Sequence, residues 1–194
     1  MKLAQITLVT GLLFGSVAFS APISYFAILD GPSEAPPNIS PGTGFATVLI
    51  DLVAQTMEVD VTFSGLLGTT TASHIHCCTA VPDVGTAGVA TTTPYFTGFP
   101  LGVTSGSYSH LFDMTLASSY NPAFVTAEGG VANAEAALAA GIASGNAYLN
   151  IHSTVVPGGE IRGFLEASAP EPSTLLLAGA ALASLALLRR RRQA

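Results

Sequence analysis

The sequence has few basic residues outside its two ends. One of its six lysines and arginines, Lys2, lies near the N-terminus, and four lie near the C-terminus: Arg189, Arg190, Arg191 and Arg192. Only Arg162 remains within residues 21–169, which carry eleven acids, so their net charge is 1 − 11 = −10. Nucleic acid is excluded as a partner, because phosphates require a basic patch. The charge favours cations, or a polymer that tolerates acid.

Several catalytic signatures are also missing. The sequence contains no G-x-S-x-G elbow, no C-x-x-C redox spacing and no internal repeat, and the Gly158-Gly159 turn is too isolated to form a phosphate loop. The two cysteines, Cys77 and Cys78, are adjacent and have no third cysteine to pair with. The open alternatives are a vicinal disulfide, an intermolecular bridge, free thiols or metal ligation by one thiolate.

The N-terminal twenty residues have the composition of a secretory signal peptide. One positive charge, Lys2, is followed by an apolar run from Leu3 to Phe19, and small residues precede the boundary near Ser20 and Ala21. The sequence therefore predicts a signal peptide over residues 1–20 and export of the rest of the chain.

The C-terminal end, residues 170–194, has the pattern of a second processing segment. Sixteen uncharged residues, 173–188, follow a short proline-containing motif and precede the four arginines. As a helix this stretch would span roughly 24 Å, slightly short of a hydrocarbon core of about 30 Å. It predicts a transmembrane helix whose arginines stay on the cytoplasmic side. One domain, residues 21–169, remains between the two signals.

Alternating apolar and polar residues predict a mainly β domain. Val59, Val61 and Phe63 alternate with polar residues, which is the two-residue period of a strand with one solvated face. One helix is predicted over 131–144, ending at Gly145. Short strands with a single helix indicate an antiparallel β-sandwich or barrel. The predicted strands are 24–29, 42–51, 57–65, 72–77, 106–116, 147–152 and 160–167.

Three of the four histidines are candidate metal ligands. In SHIHCC, residues 73–78, His74 and His76 fall on one strand face, the geometry in which two imidazoles share a metal. His152 is the best third ligand and His110 the second choice. A triad without a carboxylate favours copper or an open zinc site, and the alternative is a hydrogen-bonded cluster in the core.

Arg162 and Glu160 are two residues apart and would share a strand face. A buried Glu160–Arg162 ion pair is the favoured interpretation, and guidance of an anion toward a metal is the alternative.

The C-terminal segment resembles a PEP-CTERM sorting signal, because a PEP triplet, an apolar span and an arginine cluster occur in order. The resemblance implies a Gram-negative bacterium, exosortase machinery as a partner, and a membrane-anchored precursor that is cleaved near the PEP motif. The product would then reach the cell surface or extracellular matrix. The residues that would form the sorting motif are Pro170, Glu171, Pro172, Arg189, Arg190, Arg191 and Arg192.

The region between the signals resembles the CHRD domain. The resemblance is carried by HIHCC, residues 74–78, by FDMTL, residues 112–116, and by YLNIHSTVVPGGEIRGFL, residues 148–165. It implies an extracytoplasmic, all-β, immunoglobulin-like domain. We expect a β-sandwich that acts as a binding or structural module at the cell surface or in the extracellular matrix, with polysaccharide or protein as its partner. It does not imply catalysis.

A weaker resemblance is to copper/zinc superoxide dismutase, a Greek-key sandwich. His74, His76, His152 and Arg162 occur in the order of its H-x-H pair, later copper ligand and glycine-flanked arginine. No bridging histidine or zinc loop lies between His76 and His110. The alternative function is therefore a copper protein with superoxide dismutase-like activity.

Overall fold

The computed structural model describes residues 21–168 of the chain. The predicted signal peptide and transmembrane helix lie outside the described residues. The same holds for every residue of the predicted sorting motif, namely Pro170, Glu171, Pro172, Arg189, Arg190, Arg191 and Arg192. No helix within residues 21–168 is long and apolar enough to cross a bilayer.

The described chain is mainly β. Its strands are, in chain order, β1 (Ile23–Asp30), β2 (Thr43–Asp51), β3 (Thr56–Ser64), β4 (Thr70–Cys77), β5 (Gly106–Asp113), β6 (Ala147–Ser153), β7 (Ile161–Phe164) and β8 (Glu166–Ala167).

All eight strands belong to one antiparallel sheet, which curls into a half-barrel. The order across it is β4-β6-β7-β1-β2-β3-β5, and β8 also pairs with β1. Mainly antiparallel β structure is confirmed, but the predicted Greek-key or immunoglobulin-like sandwich of two sheets is corrected to a single curled sheet. Alternation buries one face of each strand in either architecture, so the pattern could not distinguish them.

The core follows the predicted alternation on the β2–β3 hairpin. Val59 and Val61 of β3 lie opposite Val48 and Ala46 of β2, and all four side chains are buried. Apolar side chains of the helical layer, including Leu138 and Ile142, belong to the same core.

Residues 21–168 contain two α-helices where one was predicted for this region. The helix α2 (Val131–Ala143) matches the prediction, and α1 (Pro122–Glu128) was missed. The sequence does carry a start signal for α1, because the side chain of Asn121 accepts a hydrogen bond from the backbone of Ala123 and Pro122 follows it. Only Phe124 of α1 is buried, so its apolar periodicity is weak.

Cys77 and Cys78 are bonded to each other as a vicinal disulfide. Gly141 of α2 lies against both sulfur atoms, and a Cβ atom there would stand 2.3 Å from Cys77 Sγ and 2.5 Å from Cys78 Sγ. Glycine normally destabilises the interior of a helix. Its presence at position 141 is explained by the disulfide, which leaves no room for a side chain there.

Candidate metal centre

Two neighbouring strands bring the three candidate histidines together. β4 pairs with β6 so that Ala72 lies opposite His152, His74 opposite Asn150, and His76 opposite Tyr148. Because every second residue of a strand shares a face, His74, His76 and His152 project from the same side of the sheet. Their ring centroids are 5.3 to 6.0 Å apart.

The nitrogen atoms of the three rings converge. One nitrogen from each histidine lies within 4.8 Å of the other two. His74 and His76 are buried, and His152 is half-buried. The geometry suits three imidazole ligands around one ion, and we find no other group of this kind among the histidines, cysteines and acids of residues 21–168.

In each imidazole, one ring nitrogen is hydrogen-bonded to a backbone carbonyl. His74 Nε2 is 2.6 Å from the carbonyl of Pro94, His76 Nδ1 is 2.9 Å from that of Ala87, and His152 Nδ1 is 2.9 Å from the carbonyl oxygen of Pro157. A carbonyl oxygen only accepts hydrogen bonds, so these ring nitrogens carry the hydrogen. The remaining nitrogens therefore present lone pairs.

Those remaining nitrogens have no partner. His74 Nδ1, His76 Nε2 and His152 Nε2 are buried and make no hydrogen bond within the described chain. Buried polar atoms are rarely left unpaired, so three at one place require an explanation. An orienting carbonyl on one nitrogen and a free lone pair on the other is the arrangement of a metal-binding histidine.

The surroundings keep the imidazoles neutral. Burial lowers the pKa of His74 and of His76 to about 4, although the Pro94 and Ala87 carbonyls act in the opposite direction. Burial also lowers the pKa of His152. Neutral imidazole is the form that binds metals, so protons do not compete for the site at neutral pH.

The other predicted ligands lie elsewhere. His110, the second choice of third ligand, is on β5, where its ring contacts Phe112 at a centroid distance of 4.5 Å, and it does not join the cluster. The cysteine sulfurs lie against α2, and Cys78 does not join the histidines either. Regular alternation would have placed Cys78 beside His76, but β4 ends at Cys77.

The predicted Glu160–Arg162 ion pair is replaced by other contacts. The Glu160 carboxylate accepts hydrogen bonds from the Ser40 hydroxyl at 2.6 Å and from the backbone amides of Leu67 and Gly68. Arg162 Nε instead lies 3.9 Å from Glu34 Oε2, and both of these side chains are about 5% exposed. Glu160 comes directly before β7, and its carboxylate contacts the loop that contains Leu67 and Gly68.

Sequence reasoning missed Tyr148 and Glu34. The ring of Tyr148 stacks on His76 at 4.8 Å with an interplanar angle of 5°, and the guanidinium carbon of Arg162 is 4.7 Å from the Tyr148 centroid. Tyr148 lies two residues before Asn150 of NIH, and its place on the histidine face of β6 was the available signal. Glu34 lies in a proline-rich loop distant in sequence from Arg162, so no local pattern marks it.

The raised pKa of Glu34 should make the stability of the domain depend on pH. Burial raises the pKa of Glu34 to about 7, outweighing the attraction of Arg162 and hydrogen bonds from Ala35 and Asn150. Because the folded state holds this proton more tightly, the associated stability is fully present below pH 4.5 and is lost as the pH rises through about 7. We expect Glu34→Gln to abolish roughly 2 kcal/mol of that dependence, after allowance for solvent screening.

Urea denaturation of the full chain in detergent, at about pH 3.5 and about pH 8, which lie on either side of the two pKa values, measures this effect. Glu166→Gln, at an exposed position, is the matched control. Groups that titrate in both proteins cancel in the difference between variant and parent. A Glu34→Gln variant with the parent's full pH dependence would contradict the assignment.

Comparison with known proteins identifies the family. The model for the CHRD domain matches residues 25–165, nearly three quarters of the chain. The chain belongs to the CHRD domain family. A second model, for the PEP-CTERM protein-sorting motif, matches residues 168–192. Neither a curated protein nor a solved structure matches this CHRD chain.

The two matches confirm the resemblances in the sequence. A CHRD domain followed by a PEP-CTERM motif indicates a protein exported in a Gram-negative bacterium and sorted through a membrane-anchored route by exosortase. The second match contains the PEP triplet at 170–172 and all four arginines, Arg189, Arg190, Arg191 and Arg192. All three histidines of the cluster lie inside the CHRD match. The domain boundaries at residues 20 and 169 stay predictions.

Proposed function

We propose that this exported CHRD domain binds one copper ion through His74 Nδ1, His76 Nε2 and His152 Nε2. Two observations in the described chain carry the proposal: each histidine has one buried, unpartnered nitrogen, and one nitrogen from each ring lies within 4.8 Å of the other two. Each ring is already fixed by a backbone carbonyl, so binding requires little reorientation.

Copper is favoured over other metals by the donor set. The three donors are neutral imidazoles with no carboxylate or thiolate among them, and imidazole suits copper and zinc. Divalent copper binds a given nitrogen site more tightly than zinc. A bound copper ion would supply redox chemistry, and the protein's contribution is to orient the rings and exclude water.

Copper titration of the full chain, exported to the periplasm and purified in detergent, tests the proposal. We expect one copper per chain, and loss of stoichiometric binding in His152→Ala, whose half-buried side chain makes misfolding less of a risk. Removing one of three ligands should weaken copper binding about 100-fold or more. Mutating a residue that only hydrogen-bonds to a metal ligand already lowers metal affinity by about 10 to 100-fold. Zinc is titrated in parallel.

His110→Ala is the matched control, because it removes a histidine of β5 outside the cluster. Equal copper binding by the parent, His110→Ala and His152→Ala would overturn the proposal, as would absence of stoichiometric binding by the folded parent. We also propose that the copper-bound protein has superoxide dismutase-like activity. An assay of superoxide consumption by the copper-loaded chain tests this.

We also propose a binding or structural role at the cell surface or in the extracellular matrix. The outer face of the sheet favours it, because Ile28, Phe45 and Leu111 are 65%, 46% and 61% exposed there. Exposed apolar side chains grouped on one sheet face are typical of interaction surfaces. Loss of surface retention in Phe45→Asp, with copper binding preserved, would support this role, and unchanged retention would count against it.

A further inference from the structure

A cleft of about 430 Å³ lies over the seam between β1 and β7. Its walls come from both strands and from the loops that contain Ser33 and Asp83, and none of the three histidines lines it. The volume is in the range of small-molecule sites, in which a few polar groups converge on an apolar pocket.

The cleft contains the one basic residue of the described chain, Arg162. Its Nε donates to the carbonyl of Ser33 and its Nη1 to that of Gly85 at 3.0 Å. Nη2 has no hydrogen-bond partner within residues 21–168 and is not among the fully buried unpartnered atoms, and Arg162 lines the cleft. A guanidinium positioned in this way recognises a carboxylate.

The nearest acid leaves part of the guanidinium charge uncompensated. Glu34 Oε2 is 3.9 Å from Arg162 Nε, which is too long for a direct hydrogen bond. Burial raises the pKa of Glu34 to about 7, so Glu34 is partly protonated at neutral pH. Arg162 therefore retains charge for a ligand.

Three carboxylates line the cleft itself, those of Asp30, Asp83 and Glu166. Asp30 lies directly opposite Arg162 across the strand pair, and its Oδ1 already accepts the backbone N–H of Ser33. A purely anionic ligand would be repelled by these acids, and a purely cationic one by Arg162. The charges together suit a molecule that carries one charge of each sign.

The rest of the cleft is apolar. Phe26 and Ile28 of β1 stand on one side and Phe164 of β7 on the other, and Ala27 and Gly163 also line it. Ile28 has most of its surface exposed. A compact aliphatic group would cover these side chains.

We propose that this cleft binds a small zwitterion, an α-amino acid with an aliphatic side chain. Its carboxylate pairs with Arg162, its ammonium group lies by Asp30 and Asp83, and its side chain packs against Phe26 and Phe164. None of the three histidines lines the cleft, so the proposal can be tested apart from the copper site, although the Tyr148 ring contacts both Arg162 and His76.

Calorimetry on the full chain in detergent, with three matched probes, tests the proposal. L-leucine carries both charges, 3-methylbutylamine only the positive one, and 4-methylpentanoate only the negative one. We expect L-leucine to saturate one site per chain and each analogue to bind about tenfold more weakly or worse, because each leaves a charged partner unpaired.

Variants at the rim of the cleft complete the test without disturbing Arg162. Phe26→Ala should weaken L-leucine about tenfold, and Asp83→Asn should weaken L-leucine while leaving 4-methylpentanoate unchanged or tighter. Leu111→Ala, exposed on β5 outside the cleft, should bind as the parent does. No saturable L-leucine binding, equal affinity for all three probes, or full binding by Phe26→Ala would overturn the proposal.

Discussion

Gly163→Ala is expected to prevent the domain from folding. Gly163 lies on β7, and a Cβ atom there would stand 2.1 Å from the backbone oxygen of Ile28 on β1. Neither strand can move away, since β7 and β1 are consecutive in the interior of the sheet. We expect a loss of about 4 kcal/mol or more, which places the change among the most damaging single substitutions.

Gly88→Ala is the matched control for this prediction. A Cβ atom at Gly88 would meet nothing within 4 Å. Urea denaturation followed by circular dichroism should show a parent-like transition for Gly88→Ala and no cooperative transition for Gly163→Ala. A parent-like midpoint for Gly163→Ala would mean that the two strands are not packed as described.

Glu160→Ala should be the second most damaging change. The Glu160 carboxylate is fully buried and accepts hydrogen bonds from Ser40, Leu67 and Gly68. Burial alone would raise its pKa, but donors on these residues and on Ser153 outweigh burial and lower it. Removing the carboxylate leaves buried donors without an acceptor, at a cost of about 4 kcal/mol in the free energy of unfolding.

A conservative variant and a surface variant make this measurement specific. Glu160→Gln keeps one acceptor oxygen and should lose about half as much stability. Glu128→Ala, at the partly exposed end of α1, should change stability by no more than about 0.5 kcal/mol. Equal stability of Glu160→Ala and Glu128→Ala would show that the buried hydrogen bonds do not contribute.

The strands could be predicted from the sequence because side-chain alternation is local. Val59, Val61 and Phe63 alternate with polar residues whatever the strand pairs with, and the structure buries all three. The closure of the sheet depends on β1, which joins β7 on one side and β2 on the other. That pairing joins distant segments, so a single half-barrel could not be predicted from the pattern.

The candidate site, like the fold, could be predicted from the sequence only in part. His74 and His76 share a face by strand periodicity alone, and His152 was preferred to His110 because it closes one predicted strand before the turn at 157–159 leads into another. The predicted ion pair is not formed, because the acid nearest to Arg162, Glu34, comes from the loop after β1. Spacing along one strand cannot show a partner that another part of the fold supplies.

If copper binds as proposed, the position of β4 determines which strands the ion would join. β4 is the last strand of the sheet order, and β6 is its one partner among the named strands. Two of the three candidate ligands lie on β4 and the third on β6, and a long stretch of chain separates these strands. A bound ion would link β4 to β6 and close a long loop, adding to the backbone hydrogen bonds that join the other edge of β4 to residues 88–103. Metal loading would then protect β4 against local opening.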